Sequence, residues 1–294
     1  MAIRRFYHLA KKSGEAWFDD YAASMGAAIA YYTVFSIAPL LIIVIAVAGA
    51  VFGREAVEGQ IVGQLASLIG VETAMGVQGL IRSASRPASG ALATVISLAL
   101  LLIGATSVFT ELQTALNRIW RVPTAAQRSG WWPTLRARLL SFGLILGVAF
   151  LMMVSLIVSA AVAAFAQWAN GILPAEELIL QSINTLISLS ISFIMFAMIF
   201  KFMPQAKIAW RDVWVGALVT ALLFEAGKIG IGMYLGKSGI TSAYAAAGSL
   251  VVLLIWVYYS AQIFLLGAEF TWVLASEHRA DNDILPPPSG PNRS

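Results

Sequence analysis

Six long runs of apolar residues, separated by polar or charged segments, dominate the pattern of the chain. A helix crosses a hydrocarbon core with about 20 consecutive apolar residues, and each run is long enough to do so. The runs occupy residues 24–52, 88–110, 139–168, 178–203, 213–236 and 248–275. The pattern therefore predicts an all-α, polytopic membrane protein whose transmembrane domain, residues 24–275, is a bundle of six helices.

The segment before the first run has a helical pattern of its own. Residues 1–23 place Phe6 and Trp17 on one side of a helix and Lys11 and Lys12 elsewhere. This arrangement favours either an amphipathic helix lying in the cytoplasmic membrane interface or a solvated helix packed on loops. The sequence alone leaves both open.

Two further segments lie outside the apolar runs. In the connection 53–87, Val57, Ile61 and Leu65 recur at helical spacing, which predicts a helix along the outer surface or across the outer mouth of the bundle. The C-terminal residues 276–294 become polar and Pro-rich, and we expect a disordered cytoplasmic tail.

Composition supports the membrane assignment, and the distribution of charge predicts the orientation of the protein in the membrane. The chain is 59% hydrophobic and 12% charged, whereas about a quarter of residues are charged in soluble domains. The net charge of +4 does not suggest nucleic acid, because the basic residues lie in short loops beside the apolar runs. Fourteen Lys and Arg residues fall on the N-terminal side of the membrane and four on the other, which predicts both termini in the cytoplasm.

Few residues are suited to metal binding or catalysis. The chain has no cysteine, and its two histidines, His8 and His278, lie at opposite ends of the sequence. A zinc site needs clustered His and Cys ligands. We therefore expect no metal, no cofactor, no catalytic residues and no enzymatic activity.

The fifth apolar run contains two charged residues. Glu225 and Lys228 are three residues apart and so share one face of a helix. Each charge costs about 2.5 to 3.5 kcal/mol at the centre of a membrane helix, and each large apolar residue returns about 0.3 to 0.6 kcal/mol. The two sums nearly cancel, so this face is expected to turn towards other helices.

Uncharged polar residues and one more carboxylate form stripes on neighbouring runs. Gln181, Asn184 and Ser188 follow one another at helical spacing in the fourth run, and Gln262 and Glu269 are seven residues apart in the sixth. Polar groups inside a membrane must face the bundle or water. We predict a polar seam along the bundle interior, centred on the charged pair of the fifth run and lined by these stripes.

Four stretches of the chain resemble the YihY/virulence factor BrkB family. They are AAIAYYTVFSIAPLLI (27–42), ELQTALNRIWRVP (111–123), FMPQAKIAWRDVWVGALVTALLFEAGK (202–228) and SAYAAAGSLVVLLIWVYYSAQIFLLGAEF (242–270). The chain departs from the family pattern at 245–248, where a Tyr-Gly pair is expected. The likeness otherwise spans nearly the whole chain.

The resemblance implies a six-helix protein of the bacterial inner membrane, formerly labelled ribonuclease BN and associated in some members with serum resistance. It implies no catalytic residues. A metal-dependent nuclease needs clustered acidic or His ligands around an activated water. No such cluster stands out in this sequence, so we expect no ribonuclease activity and no nucleic-acid partner.

Two functions are compatible with these features. The seam could carry a lipid or small-molecule substrate, with membrane lipids as partners, in a transporter or lipid-translocating protein. Alternatively, the polar residues could hold the helices of a structural or scaffolding envelope protein together, with a role in virulence or serum resistance. The sequence does not decide whether the pair formed by Glu225 and Lys228 is functional or structural.

Overall fold

A computed structural model describes residues 2–84, 91–123, 143, 176–237 and 248–284. Every regular element among these residues is an α-helix, as the apolar runs predict. The described helices are α1 (Ala2–Asp19), α2 (Ala22–Phe52), α3 (Arg54–Ile69), α4 (Val71–Ala84), α5 (Ala91–Ile119), α6 (Glu176–Phe202), α7 (Trp210–Lys237) and α8 (Gly248–Ile284).

Four of these helices have segments long and apolar enough to cross a membrane. The segments are Ala22–Ala50, Thr185–Phe202, Trp210–Ile231 and Gly248–Ala280. Helix α5 contains residues 91–110 of the second predicted run. The third predicted run, 139–168, lies outside the described residues apart from Gly143, so the count of six spans stays a prediction.

Residues with positive φ make the tight connections between the first four helices. Tyr21, at φ 57°, joins α1 to α2, and Gly53 and Gly70, at φ 87° and 85°, link α2 to α3 and α3 to α4. Glycine adopts this conformation without steric cost, which is why it commonly follows a helix. As a result, α3 and α4 together occupy the connection 53–87 that the sequence predicts to be helical.

Helix α8 is longer than the sequence predicts. It continues through Ile284, so residues 276–284 of the expected disordered tail are helical, and residues 285–294 lie outside the described part. Two ion pairs explain the extension. Glu277 contacts Lys12 of α1, with 3.0 Å between Oε1 and Nζ, and His278 Nδ1 lies 2.7 Å from Asp212 Oδ1 of α7.

Helix α8 is also the element against which much of the described bundle packs. It contacts α1, α2, α4, α5 and α7. The ion pairs of Glu277 and His278 gather α1 and the beginning of α7 around its C-terminal part. We refer to this region as the α1 end of the bundle.

Two reciprocal glycine and threonine contacts fix the crossing of α7 and α8. Thr271 packs on Gly216, and Thr220 packs on Gly267, so a Cβ at either glycine would overlap the opposing threonine hydroxyl. Each threonine donates its hydroxyl hydrogen bond to the carbonyl of the glycine four residues earlier, at 2.7 Å. Small residues allow this close approach of antiparallel helices.

A similar contact joins α2 to α5. The ring of Pro39 packs against Gly104, where a Cβ would lie 3.0 Å from the proline Cγ. One turn away, the hydroxyls of Ser36 and Ser107 are hydrogen-bonded at 2.7 Å. The proline that sequence analysis places inside the first span is therefore accommodated by a glycine on the facing helix.

We predict that Gly267→Ala destabilises the protein. The added Cβ must displace Thr220, and overpacking of this kind costs about 1 to 3 kcal/mol. Thermal unfolding in detergent measures the effect. Gly230→Ala is the matched control, because nothing lies within 4 Å of a Cβ at this position of α7.

Combining Gly267→Ala with Thr220→Gly should recover part of the lost stability, since the exchange moves the small residue to the other helix. If Gly267→Ala unfolds at the same temperature as Gly230→Ala, the proposed α7–α8 register is wrong.

Candidate functional site

Glu225 and Lys228 form an ion pair on α7. The Lys228 ammonium donates to Glu225 Oε1 at 2.8 Å and also lies 2.8 Å from Oε2. Their spacing of three residues places both side chains on one face of the helix, as the sequence predicts. Each charge therefore has its counter-ion within the same helix.

Ser188 of α6 completes the arrangement. Its hydroxyl donates to Glu225 Oε1 at 2.8 Å and accepts from Lys228 Nζ at 3.0 Å. We call Ser188, Glu225 and Lys228 the polar triad. The triad ties α6 to α7 through two charge-assisted hydrogen bonds, which are stronger than hydrogen bonds between neutral groups.

The polar triad lies at the edge of an apolar surface. The side chains of Glu225 and Lys228 are each 20% exposed, and the neighbouring Leu222 and Ile229 are 51% and 67% exposed. The ring of Phe224 lies 5.7 Å from Lys228 Nζ. Exposed apolar side chains therefore flank the charged pair along one side of α7.

Glu225 and Lys228 lie near the middle of α7 along its length. With a rise of 1.5 Å per residue, Glu225 lies about 22 Å from the beginning of the helix at Trp210 and about 18 Å from its end at Lys237. Charges at such a position are costly unless they are paired or hydrated. The internal ion pair meets this requirement.

Two predicted seam residues precede Ser188 on α6. Gln181 and Asn184 both lie in this helix, but their side chains lie outside the described part of the structure. Their place in the seam stays a prediction. Ser192, which continues the same stripe by one turn, is buried.

Gln262 of α8 lies in a different interface from the polar triad. Its amide packs on Gly26 of α2, and a Cβ at that glycine would overlap the amide nitrogen. Neither amide atom has a hydrogen-bond partner among the described residues. The amide is thus enclosed between α2 and α8.

Glu269 lies seven residues beyond Gln262 on α8 and is fully buried. Both of its carboxylate oxygens lack a hydrogen-bond partner in the described structure. Its nearest charged neighbours are Asp20, Arg121 and Asp19. The residues predicted as one seam therefore occupy two places, the α6–α7 face and the α2–α8 interface, and within the described residues no hydrogen bond joins them.

Sequence analysis missed the charged neighbours of Glu269. Asp20 is 3% exposed, lies between α1 and α2, and is paired with Arg121 just after α5. The guanidinium also lies 5.1 Å from the ring centre of Trp272. Asp20 and Arg121 are 101 residues apart in the sequence. No local pattern therefore identifies Asp20 as the partner of Arg121.

A sequence signal for Arg121 does exist. Gln113 and Asn117 are four residues apart on α5, and Arg121 follows four residues later, just beyond the end of the helix, with φ 52°. The Gln113 amide donates to the carbonyl of Met203 at 2.9 Å, and the Asn117 side chain accepts from the backbone of Gln205 at 2.8 Å. Gln113 and Asn117 therefore connect α5 to the segment between α6 and α7.

The described side chains provide ion pairs and hydrogen bonds but no evident metal site. Within the described ranges, no group of three or more His, Cys, Asp or Glu residues is placed to hold a metal ion. The polar triad can exchange its internal partners for an anion at Lys228 and a cation at Glu225. Among the described groups it combines both charges beside an exposed apolar surface, and its charged pair lies in the last two turns of the membrane segment Trp210–Ile231.

Comparison with known proteins identifies similar membrane proteins. Residues 15–290 match the family described as virulence factor BrkB. A UPF0761 membrane protein of Ralstonia nicotianae is 29% identical over 85% of this chain and 55% of its own length. A UPF0761 membrane protein of Tolumonas auensis is 32% identical over 66% of this chain and 60% of its own.

The UPF0761 membrane protein YihY of Shigella boydii is 29% identical over 61% of this chain and 58% of its own length. The chain thus spans less than two thirds of the length of these relatives. No solved structure matches it.

We predict that the polar triad contributes measurably to stability. In Glu225→Gln, Lys228 loses its counter-ion, and an unpaired charge at the centre of a membrane helix costs about 2.5 to 3.5 kcal/mol. The double variant Glu225→Gln with Lys228→Met should lose less free energy of unfolding than the sum of the two single variants, because contacting residues couple by about 0.5 to 3 kcal/mol. Unfolding in detergent with increasing denaturant gives the four free energies.

The control for this double-mutant cycle is the same set of measurements on Lys11 and Glu15. This pair on α1 is separated by 3.8 Å and both side chains are exposed, so a coupling of only about 0.3 to 0.5 kcal/mol is expected. A coupling between Glu225 and Lys228 no larger than that of the control would show that the triad is not formed.

Proposed function

The chain belongs to the virulence factor BrkB family, and from the position of the polar triad we propose that it translocates a lipid with a charged head group across a bacterial inner membrane. The relatives are named as membrane proteins, and the described helices include four that can span a membrane. In this proposal, the polar triad contacts the head group. No covalent bond is made or broken, and the protein is not an enzyme.

The position of the polar triad at a lipid-facing edge carries the proposal. A lipid can move its head group along a polar surface only if its acyl chains stay in the hydrocarbon beside it. The exposed Leu222 and Ile229 next to the triad provide that neighbouring apolar surface. A substrate enclosed in the bundle would need no such edge.

Exchange of ion-pair partners supplies a mechanism. A head-group phosphate replaces Glu225 at the Lys228 ammonium, while a head-group amine replaces Lys228 at the Glu225 carboxylate. Every charge then keeps a partner of opposite sign, so the large penalty for an isolated charge in a low-dielectric region is avoided. The hydroxyl of Ser188 can donate to either acceptor during the exchange.

We place both termini in the cytoplasm. Lys and Arg residues are concentrated in the N-terminal region and in the segments after the second and fourth predicted spans. Cytoplasmic loops carry an excess of these residues. In this orientation, the α1 end of the bundle faces the cytoplasm and α3 and α4 lie on the opposite side.

The proposal predicts protein-dependent lipid translocation. In vesicles holding the purified chain, a phosphatidylethanolamine labelled on its head group should become accessible to an impermeant quencher faster than in protein-free vesicles. Glu225→Gln and Lys228→Met should each reduce the rate to that of protein-free vesicles, because each removes one half of the exchange. Lys11→Met, which removes an exposed lysine on α1, should keep the wild-type rate.

Folding of each variant is checked by its unfolding temperature in detergent. Wild-type translocation by folded Glu225→Gln and Lys228→Met variants would contradict the role of the triad. Uptake of a soluble zwitterion without lipid exposure would instead identify a small-molecule transporter and overturn the lipid proposal.

A scaffolding function is the second candidate, and one observation favours it. The three side chains of the polar triad satisfy one another, and Ser188 joins α6 to α7. Such a group could serve only to fix the register of two helices. The protein would then act through partners in the envelope.

Exchange of the two charges separates these functions. In Glu225→Lys with Lys228→Glu, an ion pair can form again, so a scaffold should regain stability and its cellular phenotype together. The translocation proposal predicts recovered stability with impaired transport, because the position of each charge relative to Ser188 and the lipid edge has changed. Recovery of both stability and the cellular phenotype by the exchanged variant, without lipid translocation by any variant, would favour the scaffold.

A further inference from the structure

Two buried carboxyl groups meet at the α1 end of the bundle. Glu269 of α8 is fully buried, and Asp20, between α1 and α2, is nearly so. Arg121, which is paired with Asp20, also lies over the ring of Trp272, three residues beyond Glu269 on α8, so both carboxyl groups lie near the same guanidinium. Three of their four oxygens lack a hydrogen-bond partner in the described structure: Asp20 Oδ2, Glu269 Oε1 and Glu269 Oε2.

Among the described residues, Arg121 supplies the positive charge nearest to these two carboxyl groups. The Arg121 guanidinium is paired with Asp20 Oδ1, and it also lies over Trp272. Asp19 adds a further negative charge nearby. Asp19 and Arg121 are exposed, whereas Asp20 and Glu269 are buried. With both carboxyl groups ionised, two buried negative charges would face one guanidinium at the edge of the bundle, which is costly away from water.

Charged groups on the other helices packed around α8 have partners of their own. From α1, Lys12 and His8 contact Glu277. From α7, Asp212 contacts His278. Both contacts lie beyond Glu269 on α8, so they do not place a donor on its oxygens.

A proton shared between the two groups gives a hydrogen bond to two of the three unpartnered oxygens, one as donor and one as acceptor. Ionised carboxylates only accept hydrogen bonds, so two of them side by side cannot bond to each other. Protonation of one group makes it a donor to the other and removes the excess charge. Adjacent carboxyl groups commonly share a proton for this reason.

We propose that Asp20 and Glu269 form a proton-binding site in which one proton is shared between the two carboxyl groups while Arg121 neutralises the remaining charge. The site is separate from the polar triad. It does not depend on lipid translocation, and its test uses no transport measurement.

Gln262 extends the polar interface away from this site. It lies two turns from Glu269, about 10 Å along α8, and its buried amide also lacks a partner among the described residues. Gly26 provides the space for that amide on α2. The α2–α8 interface therefore holds polar groups from the α1 end into the membrane segment.

Infrared spectroscopy of the full-length protein in detergent tests the proposal. A protonated carboxylic acid has a carbonyl stretch that an ionised carboxylate lacks. At neutral pH, we expect one such band in the wild type, its loss in Glu269→Gln and its retention in the control Glu55→Gln, which removes an exposed carboxylate on α3. Asp20→Asn should shift the band, because the acceptor of the shared proton has changed.

Glutamine resembles the protonated form of glutamate, so Glu269→Gln should fold and should unfold at or above the wild-type temperature in neutral buffer. In alkaline buffer, wild type should lose stability relative to Glu269→Gln, because the buried site then loses its proton. Absence of a band that depends on Glu269 would overturn the proposal. Stabilisation of wild type, but not Glu269→Gln, by added sodium or potassium chloride would identify a cation site and also overturn it.

Discussion

The need to give every polar group inside the membrane a partner governs this structure. Water is absent from the hydrocarbon core, so ionisable side chains there must pair with one another, bind a proton or reach a hydrated surface. The protein uses two of these solutions. Glu225 and Lys228 pair within α7 and share Ser188 of α6, whereas Glu269 is buried beside Asp20 with no donor on its oxygens. The two arrangements have different chemical consequences, because the first can exchange its ions and the second can take up a proton.

Close packing around α8 creates these environments. The contacts of Gly216 with Thr271 and of Gly267 with Thr220 hold α7 against α8, while the space left by Gly26 admits an amide between α2 and α8. The polar triad lies between α6 and α7, whereas Glu269 lies on α8, which packs against both α7 and α2. A change in the position of α8 would affect both sites, even though no hydrogen bond joins them within the described residues.

Local features of the sequence predicted much of this arrangement. Apolar runs identified the helices, and the spacing of three residues placed Glu225 and Lys228 together, because both properties depend on residues close in the chain. The family resemblance was confirmed by the match over residues 15–290. The pairing of Asp20 with Arg121, and its position beside Glu269, could not be read in the same way, since they depend on how distant helices pack. The helical extension to Ile284 was missed because it is held by side chains of α1 and α7.

Accessibility of the polar triad to charged reagents tests the central claim most directly. The natural chain has no cysteine, so Ser188→Cys introduces a single thiol beside Glu225 and Lys228. If the triad serves passage of charged head groups, a membrane-impermeant charged thiol reagent should label this variant in a bilayer, while Leu265→Cys, at a fully buried position on α8, stays unlabelled. If folded Ser188→Cys protein is as unreactive as Leu265→Cys, the triad is closed to charged groups and translocation past it is contradicted.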